Sequence, residues 1–71
     1  MFVVAAKTKN LAEIPLQHTT LAQALADFHS CRKDGCFQKV RLTDNCGNVM
    51  REIERAPDGT WRDNINLFGD G

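Results

Sequence analysis

The clearest hydrophobic pattern lies between residues 20 and 35 and predicts an amphipathic helix. Apolar residues recur there at the i, i+3, i+4 and i+7 spacing that puts side chains on one helix face. They are Leu21, Ala24, Leu25, Phe28 and Cys31. Thr20 is a favourable N-cap, and Gln23 three residues later completes a capping box. Gly35 is placed at the C′ position that ends the helix.

The segment before this helix carries strand-like patterns. Residues 1–9 alternate with apolar side chains on both faces, which predicts a strand inside a sheet. Residues 10–18 are predicted to be a connector, because Pro15 prevents a helix there. Ile14 and Leu16 would either hold this connector against the body of the protein or form a short edge strand.

Strand patterns alternate with turn residues after the helix. In order they are a strand at 36–43, a turn at 44–48, a strand at 49–55, a turn at 56–59 and a short strand beginning at 60–62. The tail at 63–71 is ambiguous, since Ile65, Leu67 and Phe68 are candidates for docking while the last residues should fray. The order predicts an α+β fold: a strand, a helix and a three-strand meander, in one mainly antiparallel sheet with the helix packed on one face.

Strict alternation assigns the side chains of the meander to the two faces of the sheet. The apolar set expected beneath the helix comprises Val40, Leu42, Val49 and Ile53. Cys36 belongs to that same face. Phe37, Lys39 and Arg41 then point to the opposite face, with Trp61 and Arg62 close by in the meander.

Size and charge limit the classes of function. The chain has 71 residues, enough for a single small domain at 1–71 with marginal stability. An enclosed active-site pocket is hard to build at this size, which favours a binding surface. Acidic and basic residues number nine each, so no overall charge points to nucleic acid or to an anionic membrane.

The cysteines are Cys31, Cys36 and Cys46, and an odd number favours free thiols in a reducing compartment. Together with His29 they offer four potential zinc ligands. However, Cys31 completes the helix stripe and Cys36 falls on the inner strand face, so both are predicted to be core residues. We expect no metal and no cofactor.

The sequence evidence for catalytic groups is equally weak. His29 and Cys31 are two positions apart on a helix, so their side chains diverge. His18 lies in the connector and is expected to be a solvated surface residue. Glu52 and Glu54 share one strand face, where salt bridges to the cations of the neighbouring strand are expected. The chain is therefore predicted not to be an enzyme.

Targeting signals are also missing from the pattern. Residues 1–7 lack the basic start and the long apolar run of a signal peptide, and no apolar stretch approaches the length of a membrane span. These features predict a soluble, cytoplasmic protein that has no membrane partner.

The remaining signal is a mixture of aromatic residues and cations on the open sheet. The candidate binding residues are Phe37, Lys39, Arg41, Arg51, Trp61 and Arg62. Such a mixture suits a protein-binding hot spot, which is the first hypothesis. It also suits base stacking with phosphate contacts, which makes a nucleic-acid-binding module the second hypothesis. A homo-oligomeric scaffold or regulatory subunit, joined through an edge strand or the tail, is the third.

Residues 19–61 give a capped helix followed by the meander QKVRLTDNCGNVMREIERAPDGTW. In element order and turn positions this run resembles some small phage-encoded inhibitors, including certain anti-CRISPR proteins. The resemblance implies a compact sheet-plus-helix protein without an enzymatic site, which blocks a host protein complex by steric occlusion. The balanced charge departs from the strongly acidic members that mimic DNA, and no functional residue is carried over from the resemblance.

Overall fold

Five strands and one helix make up the protein in the computed structural model, which describes residues 1–10 and 12–67. In chain order they are β1 (Phe2–Thr8), β2 (Glu13–His18), α1 (Leu21–Lys33), β3 (Phe37–Thr43), β4 (Val49–Arg55) and β5 (Trp61–Asn66). The strands form one sheet in the order β2-β1-β3-β4-β5, and every neighbouring pair is antiparallel. The α+β class, with the helix on one face and a meander after it, is confirmed.

The predicted helix begins where the capping pattern places it. Thr20 has extended backbone angles, and its hydroxyl accepts a hydrogen bond from the backbone N–H of Gln23 at 3.2 Å. Ala24, Phe28 and Cys31 of the predicted stripe are buried. None of the described residues forms a helix long and apolar enough to cross a bilayer.

The end of the helix uses a different device from a left-handed glycine. Asp34 caps the helix in an extended conformation, and its N–H donates to the carbonyls of Ser30 and Cys31. The Asp34 carboxylate then accepts from the N–H of Cys36 at 3.0 Å, which turns the chain. Gly35 occupies the C′ position without a positive φ, because the carboxylate already supplies the turn.

The connector before the helix contains the edge strand β2. It pairs with β1 from Lys7 opposite Glu13 to Phe2 opposite His18. Pro15 lies opposite Ala5 in the middle of this pairing. A proline nitrogen carries no hydrogen, so the sheet loses no bond when that nitrogen faces solvent on an edge strand.

The core lies between α1 and the β1–β3–β4 part of the sheet. Its buried side chains are Val4, Ala6, Ala24, Phe28, Cys31, Val40, Leu42 and Ile53. The helix backbone lies over β1, β2 and β3, and in the described chain β4 and β5 contact it through side chains such as Arg51 and Trp61. The helix side of β4 and β5 must therefore be covered by side chains.

Three register shifts interrupt the strict alternation of the strands. The partners skip Gln38 in β3, Met50 in β4 and Asn64 in β5. A bulge of this kind adds one residue to one strand, so side chains on its two sides no longer follow one alternating pattern. The third bulge also explains why the pattern at 63–66 is ambiguous, because β5 runs to Asn66 although alternation fails at Asn64. The rest of the predicted tail from Phe68 onwards lies outside the described residues.

Replacing Gly59 with alanine is expected to destabilise the protein by about 1 kcal/mol, while Gly35→Ala leaves stability unchanged or slightly raised. Both positions have open space for a Cβ atom, but only Gly59 has a positive φ, of 90°. Urea unfolding of both variants measures the difference. Equal stabilities for the two variants would show that the turn relaxes without cost.

Candidate functional site

The sheet face opposite α1, which we call the open face, is covered by no element of the described chain. Strand register assigns its side chains, because directly opposed residues share a face. Its charged residues are Lys7, Glu13, Lys39, Arg41, Glu52, Glu54 and Arg62. Cations and carboxylates are therefore interspersed across all five strands.

Glu52 is the centre of the charge network on the open face. It is 8% exposed, the lowest value for any charged residue described. Its two carboxylate oxygens contact Lys39 Nζ at 3.1 Å and Arg41 Nε at 3.3 Å. Asn64 Nδ2 donates to Glu52 at 3.3 Å and to Glu54 at 3.1 Å. The predicted salt bridges to β3 are confirmed for Glu52, whose side chain they hold in place, whereas the contact shown for Glu54 is the hydrogen bond from Asn64.

Opposing influences act on the Glu52 carboxyl. Burial raises its pKa, but hydrogen bonds from Lys39 and Asn64, with the charges of Lys39 and Arg41, outweigh burial. The pKa of Glu52 therefore lies below its ordinary value, and the carboxylate is ionised at neutral pH. A carboxylate that is ionised at neutral pH and held by fixed partners suits electrostatic recognition better than proton transfer.

A shallow cup of about 60 Å³ lies beside this network. It is lined by Ala5, Lys7, Glu13, Lys39 and Arg41. The depression exists because the Ala5 side chain is small, and longer side chains from β1, β2 and β3 surround it. Sequence reasoning missed Lys7 and Glu13, because the cup requires β2 to be paired with β1.

The predicted binding residues divide between the two faces. Lys39, Arg41 and Arg62 lie on the open face. Phe37, Arg51 and Trp61 lie on the helix side of the sheet. The aromatic part of the predicted surface is therefore not on the open face.

Phe37 changes face because of the first bulge. Lys7 is opposite Lys39 and Thr8 is opposite Phe37, so Gln38 has no partner in β1. Phe37 consequently packs against the core, contrary to the outward position that alternation predicts. The prediction for Cys36 is also wrong, since it lies in the turn before β3 and is exposed.

Arg51 and Trp61 cover the part of the helix-side face that lies beyond the α1 backbone, and both contact the edge of the helix. The Arg51 guanidinium lies 5.1 Å from the ring centroid of Phe28, with one Nη 3.5 Å from Asp63. Trp61 Nε1 donates to the carbonyl of Arg32 at 3.1 Å. The side chains of both residues therefore stabilise the fold.

Arg55 completes this cover, a role that the sequence pattern does not reveal. Its guanidinium lies 4.4 Å from the Trp61 ring centroid. Its Nε donates to the carbonyl of Phe37, and one Nη donates to that of Gly59, both at 3.2 Å. A single side chain thus joins the start of β3 to the turn between β4 and β5.

His18 is half-buried and has a hydrogen-bond partner, contrary to the solvated surface position that was expected. Its Nε2 donates to Asp27 at 2.8 Å, and the Cys31 thiol donates to the other Asp27 oxygen at 3.7 Å. The carboxylate separates the imidazole from the thiol, so His18 is not placed to activate Cys31. Burial, followed by the charge and hydrogen bond of Asp27, raises the pKa of Cys31 to about 11. The thiol is therefore protonated and unsuited to nucleophilic attack.

The four potential zinc ligands do not converge. Cys36 precedes β3 and Cys46 follows it, so the length of a strand separates them. Within the described residues, no group of three or more histidine, cysteine, aspartate or glutamate side chains could hold a metal ion.

Glu52→Gln is expected to lower stability at neutral pH and to have little effect in acid. Because the folded pKa of Glu52 lies below its ordinary value of 4.5, its ionisation stabilises the fold above that pH. This contribution is lost as the pH falls through the folded pKa. Unfolding free energies of wild type and variant from pH 7 to pH 3 test this, with Glu13→Gln as the control for loss of one exposed carboxylate. A difference that is constant with pH would contradict the expectation.

Thiol labelling of the native protein is expected to modify Cys36 and Cys46 but spare Cys31. The first two are exposed, whereas Cys31 is 7% exposed and protonated. Iodoacetamide treatment followed by peptide mass spectrometry measures each site, and denaturant should expose the third. Equal native labelling of all three would refute the buried position.

Comparison with known proteins adds no relative to this description. The chain matches no protein-family model, no curated protein and no solved structure.

Proposed function

We propose that the protein is a non-enzymatic binding module whose open face docks on a partner protein. The observation that carries this proposal is the fixed charge network around Glu52, which no described element covers. Charges held in position before contact lose less freedom on binding, and their pattern selects partners by electrostatic complementarity. Lys39, Arg41 and Arg62 supply the cations of this face.

The same face gives less support to a nucleic-acid-binding module. Base stacking needs aromatic side chains on the surface, but Phe37 and Trp61 pack on the helix side. A nucleic acid presents closely spaced phosphates, and on this face they would meet the carboxylates of Glu13 and Glu54. A protein with interspersed charges avoids that repulsion.

Inhibition by steric occlusion is the most concrete form of the proposal. A phage or mobile-element protein of the anti-CRISPR type would cover a functional surface of a host complex and would need no chemistry of its own. In support, the Cys31 thiol is protonated, and Glu52 is tied to cations. The three free thiols support a cytoplasmic location, where reducing conditions preserve them.

A homo-oligomeric scaffold remains the alternative that needs no foreign partner. Its support is the exposed side chains of Ile65 on β5 and Leu67 just beyond it. A mass in solution equal to one chain, across a wide concentration range, would remove this alternative.

Substitution of two open-face cations tests the docking proposal. The double substitution of Lys39→Ala and Arg41→Ala should weaken the affinity for a purified partner by about tenfold or more, as expected for residues near an interface centre. The matched control is Arg32→Ala with Lys33→Ala, which removes the same charge from the exposed end of α1. Circular dichroism first establishes that both variants are folded.

The partner is obtained by nuclease-treated affinity capture from cells of the source or its host, identified by mass spectrometry and purified. Calorimetry then measures its affinity for wild type and for both double variants. Equal weakening by the two variants would show a general charge effect and contradict docking at the open face. Loss of all capture after nuclease, with a steep dependence on salt, would favour the nucleic-acid alternative.

A further inference from the structure

Lys7 on β1 lies between two charged cross-strand neighbours, Glu13 on β2 and Lys39 on β3. Its side chain is half-buried on β1, and the described residues supply it with neither an ion pair nor a hydrogen bond. Its direct cross-strand neighbour on β3 is Lys39, a second cation. Like charges in directly opposed positions destabilise a sheet. Glu52 pairs with Lys39 at 3.1 Å, so the Lys7 ammonium is the donor that is left for a further partner at this point.

Arg41 directs further donors to the same place. Among the described residues its guanidinium bonds only through Nε, to Glu52, which leaves both Nη groups available. Arg41 is opposite Ala5, the smallest residue that lines the cup. Lys7, Lys39 and Arg41 thus surround one depression with N–H donors.

The balance of charge around the cup indicates how much negative charge a ligand must carry to neutralise it. Three cations line it, and Glu13 at its rim and Glu52 behind it supply two carboxylates. One positive charge remains, so a single negative charge neutralises the site. The volume of about 60 Å³ accommodates one small planar group and little else.

We propose that this cup binds one carboxylate, presented by an aspartate or glutamate side chain of the partner protein. The inference rests on the proposed docking function and adds the chemistry of its anchor. The carboxylate would accept from Lys7 and from the Nη groups of Arg41, and it would relieve the repulsion between Lys7 and Lys39. A dianion exceeds the available charge and lies close to Glu13, so a phosphate group fits less well.

Acetate is the probe of the cup, and Lys7→Gln with Lys9→Gln are the matched variants. Both substitutions remove one lysine from the end of the same hairpin, but Lys9 does not line the cup. Acetate is titrated at constant ionic strength into isotopically labelled protein, with chloride as the control ion and inorganic phosphate as the competing probe. The Ala5 amide and the Lys7 ammonium are followed by NMR.

Saturable acetate shifts in the millimolar range are expected at the cup, weakened about tenfold in Lys7→Gln and within twofold of wild type in Lys9→Gln. Linear shifts that are equal in all three proteins overturn the site. Phosphate binding tighter than acetate by tenfold or more overturns the carboxylate assignment.

The partner arm separates this inference from the docking proposal. With a purified partner, Lys7→Gln should weaken binding while Lys9→Gln does not, and one aspartate-to-asparagine or glutamate-to-glutamine change in the partner should remove that difference. Docking that is unchanged by Lys7→Gln overturns the anchor and leaves the docking function intact. Saturable acetate binding without any protein partner supports the carboxylate site and counts against the docking function.

Discussion

A helix about 10 Å across cannot cover a sheet of five strands spaced about 4.8 Å apart. This mismatch in width governs the rest of the structure. The helix α1 lies over β1, β2 and β3, where Phe28 fills the centre of the core. The helix side of β4 and β5 needs another cover, and the opposite face of the sheet receives none.

Long side chains cover the helix side of β4 and β5. Arg51 and Arg55 place their guanidinium groups against Phe28 and Trp61, and Ile53, which lies between them on the same face of β4, is buried. Phe37, Arg51 and Trp61, which sequence reasoning assigns to binding, are thereby used for stability. The open face retains a pattern of charges fixed by Glu52, and its specificity is electrostatic.

Local sequence patterns predicted most of the fold, and bulges account for many of the side chains that were assigned to the wrong face. The helix stripe, its Thr20 cap and the turns at Gly47 and Gly59 follow from short-range rules, and each is present. The face of Phe37 does not follow, because one unpaired residue at Gln38 reverses the alternation. The cup was equally hidden, since it depends on β2 pairing with β1, a contact that no periodicity encodes. The contact between His18 and Asp27 likewise joins elements whose meeting depends on the tertiary fold.

Pro15 has a consequence for how copies of this sheet could grow into larger assemblies. An incoming strand at the free side of β2 would find backbone donors at Glu13 and Gln17, about 13 Å apart, with none between them. Templated polymerisation needs two adhesive sides on every unit, one to accept a neighbour and one to be accepted. With the β2 side interrupted, any joining of copies through the β5 side terminates as a pair rather than extending as a fibre.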